Sequence, residues 1–69
     1  NDTETERLAD LILAINRLGV TILLIEHDIR LVMGVADHVV VLHHGEKIAE
    51  GPPDEVRRDP QVVSAYLGQ

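Results

Sequence analysis

Three consecutive ionisable side chains, Glu26-His27-Asp28, close an aliphatic run in the stretch TILLIEHDIRLVMGVADHVVVL. A histidine at such a position can donate a hydrogen bond to an anionic oxygen or orient a water, and its charge is tunable near neutral pH. Position by itself favours a ligand-free surface histidine, since a well-placed histidine marks function only statistically. A triad reading is disfavoured. Neighbouring residues on an extended segment point to opposite faces, so Glu26 is expected away from His27, and Asp28 is expected to cap the following helix.

Three further histidines, His38, His43 and His44, raise the question of a metal centre. Zinc needs ligands that converge tetrahedrally, and His43 and His44, adjacent at a turn, cannot both point inward. The chain has no cysteine and no HxxxH pattern, so no metal site is expected and these three are read as solvated strand and turn residues. The sequence also has no GxxxxGK[ST] phosphate loop, no GxGxxG and no GxSxG elbow. A nucleotide cradle or a nucleophile of those types would have to come from elsewhere.

The elements that position His27 are well marked. Leu8, Leu11, Ile12, Ile15 and Leu18 recur at the spacing of one helical face, predicting a helix over Thr3–Leu18. Thr3 and Glu6 have the form of a capping box, and Gly19 suits the left-handed position past the helix end. Val20–Ile25 follows as a β-prone run without polar alternation, as in a parallel strand covered on both faces. Asp28 is expected to cap a short helix from Ile29 to about Ala36, weakened by Gly34. His38–His43 reads as a strand, His44-Gly45 as a tight turn and Glu46–Glu50 as the returning strand. Pro53 with Asp54 and Glu55, then Asp59-Pro60, mark two more helix starts, the second running over Gln61–Leu67 and stopped by Gly68.

Composition limits the function classes. Sixty-nine residues make at most one small domain, and such a chain buries only about 60% of its unfolded surface. The net charge of −6 argues against nucleic acid, whose backbone demands a basic surface. Val20–Ile25 falls far short of the roughly 20 residues that cross a bilayer, and no basic-then-apolar leader opens the chain. Tyr66 is the one aromatic residue, so the core must be aliphatic. The order of elements is that of an α/β protein. A strand needing cover on both faces has too few layers here, which with the missing initiating Met leads us to expect the end of a larger α/β domain.

At this point specific residues carry a resemblance. LLIEHDIRLVMGVAD, joined to VVLHHGEKIAEGPPDEV and the ending DPQVVSAYLG, resembles the C-terminal part of an ABC-transporter ATP-binding subunit of the branched-chain amino-acid uptake type. The resemblance covers nearly the whole chain. It implies that residues 1–69 are the C-terminal portion of a P-loop NTPase domain, a buried strand plus hairpin with flanking helices. It further implies that His27 is the switch histidine that contacts the γ-phosphate of ATP and helps organise the attacking water, and that Asn1 ends the D-loop. The phosphate loop, signature motif and catalytic glutamate of the family lie upstream, so Glu26 is not that glutamate. Asp2 stands where a proline often follows the D-loop, and Pro52 where a Thr or Ser commonly caps the next helix.

The family further implies ATP and magnesium in the intact subunit, with none expected for the isolated chain. The expected partners are a second ATPase subunit and membrane subunits, at the cytoplasmic face of the cell membrane. The parent subunit would be an ATPase and the chain by itself inactive, unstable or self-associating. Two other classes stay open from the residues themselves: a small acidic protein-interaction module, and, ranked last, a zinc module.

Overall fold

The computed structural model describes residues 1–67. They form two compact units, Asn1–Val35 and a second beginning at Ala36. Helix α1, Asp2–Arg17, is started by Asn1, whose Oδ1 accepts the Glu4 backbone N–H at 2.9 Å. The cap therefore lies two residues before the expected Thr3–Glu6 box. Asn caps at least as well as Thr, and the earlier start places Thr3 inside the first turn. At the other end the Leu18 and Gly19 amides donate to Ile15 and Asn16, and Gly19 takes a φ of +91° that a side chain would disfavour.

α1 packs against α2, Ile29–Val35, and Leu31 of α2 is buried. Gly34 sits inside α2 and the helix is short, as its sequence implies. The expected core stripe of α1 is only partly used: Ile12 is half-buried, whereas Leu8, Leu11 and Leu18 are exposed.

The strand expected over Val20–Ile25 does not form. Among the described residues the sheet has two strands, and neither includes this segment. Ile22 and Leu24 are half-buried, while Leu23 and Ile25 are 87% and 88% exposed. A strand is defined by its neighbours' hydrogen bonds, and no described segment offers them here. The β-prone composition is present without its ladder.

The second unit holds a hairpin. β1, Val39–His43, pairs antiparallel with β2, Glu46–Gly51. His44 and Gly45 both have positive φ, 51° and 78°, the geometry of a two-residue turn whose twist matches the strands. Register shifts between Val41 and Leu42, because Ile48 is an extra residue on β2. β1 alternates cleanly, with Val39 and Val41 buried and Val40 and Leu42 exposed.

Val39 and Val41 share the interior of this unit with Val56 and Val62, both almost fully excluded from solvent. Val56 closes α3, Pro53–Val56, which follows Pro52 without a side-chain cap. Val62 closes α4, Pro60–Val62, capped by Asp59, whose Oδ1 accepts the Gln61 amide at 2.8 Å. Beyond it Val63–Leu67 winds into a π-helical turn in place of the expected regular helix. That turn carries Tyr66, whose hydroxyl donates to the Leu42 carbonyl and whose ring meets His43 edge-on. A tertiary tether at Tyr66 gives the last turn a reason to depart from α geometry. Gly68, the expected helix stop, lies outside the described residues.

Candidate functional site

His27 lies at a bend between the Val20–Ile25 segment and α2. Its side chain is 98% exposed, so both ring nitrogens are open to solvent. Asp28 does what its position predicts. Its Oδ1 accepts the Leu31 N–H at 3.2 Å and its carbonyl accepts the Val32 N–H at 3.1 Å, closing the first turn of α2.

Glu26 departs from expectation. The chain bends at His27, which ends the opposite-face relation of an extended segment, and the Glu26 carboxylate curls forward. Its Oε1 accepts the His27 N–H at 2.9 Å and the Asp28 N–H at 3.3 Å, and lies 3.6 Å from His27 Nε2. That last distance is too long for a hydrogen bond and leaves only electrostatic proximity. The triplet is still no triad. Both acids are committed to backbone amides, and the imidazole is exposed.

Asn1, the other residue singled out by the resemblance, spends its side chain on the α1 cap described above. Of the remaining histidines, His38 and His44 are exposed, as their sequence implies, and His43 is half-buried. His38 Nε2 is 2.9 Å from Glu50 Oε2, and Lys47 Nζ is 2.7 Å from Glu50 Oε1, so one carboxylate bridges the His38 imidazole and the Lys47 ammonium at the open end of the hairpin. Lys47 first and His38 second draw the Glu50 carboxyl down from its ordinary value of 4.5 to about 2. His43 is half-buried and meets His44 edge-on, with ring centroids 4.1 Å apart. His38 and Glu50 are twelve positions apart, so their pairing carries no sequence signal beyond hairpin register. Among the described residues no three His, Asp or Glu side chains converge on a possible cation position.

The comparisons with known proteins bear on the whole chain. The family described as branched-chain amino acid ATP-binding cassette transporter matches residues 46–69. The high-affinity branched-chain amino acid transport ATP-binding protein LivG of Salmonella typhimurium is 47% identical over 100% of this chain and 28% of its own length. BraF of Pseudomonas aeruginosa, described in the same words, is 46% identical over 100% of this chain and 28% of its own length. A probable LivG of Archaeoglobus fulgidus is 37% identical over 78% of this chain and 21% of its own. The chain thus spans 28% of the length of the curated relatives it matches in full. No solved structure matches it. Over its whole length, the chain belongs with the C-terminal part of the ATP-binding proteins of branched-chain amino acid ABC transporters.

Proposed function

We propose that the chain is the C-terminal portion, residues 1–69, of the ATP-hydrolysing subunit of an importer for branched-chain amino acids, and that His27 is its contact with the γ-phosphate of ATP. The observation that supports this most directly is the placement of His27: a fully open imidazole on a bend held by hydrogen bonds from both sides. Whole-length identity to LivG and BraF supplies the class of machine.

The residues present fit the nucleotide in part. His27 offers one donor to a phosphate oxygen, and the phosphate cradle and magnesium ligands are assigned to upstream motifs of the P-loop domain. ATP with magnesium, when bound to the intact subunit, supplies the phosphoryl group. Phosphoryl transfer depends on positioning and charge stabilisation more than on covalent chemistry, and an imidazole carried on a held bend can contribute to both. His27 would hold a γ-phosphate oxygen and help organise the attacking water. Asn1, as the end of the D-loop, lies at the seam with a second ATPase subunit. Membrane subunits complete the assembly, with the ATPase peripheral on the cytoplasmic face; no helix among the described residues is long and apolar enough to cross a membrane.

The test is His27→Ala in the full-length subunit. ATP binding stays near wild type and turnover falls on the order of a hundredfold, the scale of losing one transition-state donor. Turnover in the wild-type range would sink the assignment.

A further inference from the structure

The backbone of residues 26–28 sets the direction in which the His27 side chain leaves the chain, and among the described residues almost nothing packs against its ring, which is 98% exposed. Two side chains hold that backbone. Asp28 fixes the side toward α2 through the Leu31 amide. On the other side a single oxygen, Glu26 Oε1, receives two consecutive amides, those of His27 and Asp28, at 2.9 and 3.3 Å. An acceptor shared by successive N–H groups restrains the dihedrals between them and satisfies donors that the bend leaves open. The Glu26 side chain is itself the better packed of the two, at 27% exposure.

We infer that Glu26 is a positioning residue for His27: its carboxylate fixes the bend that presents the imidazole, and it acts on turnover through the histidine and not on the nucleotide directly. This rests on the reading of His27 as the phosphate contact. The bend costs nothing to form at the moment of reaction when the amides are already held. Released, the bend samples many conformations, and only a fraction of encounters present the ring correctly.

The experiment uses the full-length subunit with Glu26→Ala, Glu26→Gln and His27→Ala. Glu26→Ala loses the acceptor and its kcat falls roughly fivefold, the scale of one net hydrogen bond, while KM for ATP and the melting temperature hold. Glu26→Gln keeps an oxygen at the same reach and restores kcat to within about twofold of wild type, since a neutral acceptor is weaker but similarly placed. Wild-type kcat in Glu26→Ala overturns the inference. So does Glu26→Gln behaving like Glu26→Ala, or a kcat loss that comes with a lowered melting temperature. The two readings separate cleanly. Persistent turnover in His27→Ala removes the phosphate contact itself, whereas an inactive His27→Ala beside a fully active Glu26→Ala removes only the positioning role.

Discussion

Asp28→Ala offers the sharpest probe of how the bend is built. α2 has seven residues and includes Gly34, which costs up to about 1 kcal/mol relative to Ala, so its first turn has little stability to spare. The Asp28 carboxylate accepts the Leu31 amide at 3.2 Å, the long end of the normal range. A central cap value of about 1 kcal/mol is therefore the right scale, not the upper limit near 2. With tenfold per 1.4 kcal/mol, this loss raises the open population of the turn about fivefold. Native-state hydrogen exchange on the full-length subunit reads it directly. The Leu31 amide exchanges about fivefold faster in Asp28→Ala, and Val32, whose N–H donates to the Asp28 carbonyl at 3.1 Å, follows because the same fraying opens both. Asp28→Asn keeps a side-chain oxygen and stays within about twofold of wild type. Unchanged Leu31 exchange in Asp28→Ala would refute the claim that this carboxylate holds the turn.

Other consequences follow from the second unit and the open segment. Val62→Ala removes two methyl groups from a fully buried site, about 1.6 kcal/mol of transfer energy plus a small cavity, so the hairpin amides should lose about 2 kcal/mol of protection in hydrogen exchange. Glu50 titrates at about 2 when folded against an ordinary 4.5, so its pairing stabilises the hairpin fully above about pH 4.5 and is lost as pH falls toward 2. Glu50→Gln should flatten that acid limb, and salt should weaken the effect because the cluster is exposed. Finally, Leu23 and Ile25 leave an unpaired aliphatic edge in the isolated chain, and replacing both with Lys should shift it toward monomer in analytical ultracentrifugation; unchanged association would place the contact elsewhere.

Features with local causes were legible in the sequence. Asp28 and Asp59 cap the helices that follow them because a carboxylate needs to reach only two or three residues ahead. Gly19 and the His44-Gly45 turn are equally local, since positive φ is a property of a residue and its immediate turn. The histidine at the end of an aliphatic run was visible for the same reason, and so was the aliphatic character of the core. Tertiary structure decided the rest, wherever a partner lay far along the chain or a ladder required a neighbour. The Tyr66 tether to Leu42 and the bridge from His38 to Glu50 depend on hairpin register and on how the last turn docks. Val20–Ile25 has β composition but no adjacent strand among the described residues, and composition cannot supply hydrogen bonds. Glu26 shows the boundary between the two. Its identity is local, but its role appears only once the chain bends at His27 and brings one oxygen within reach of two amides.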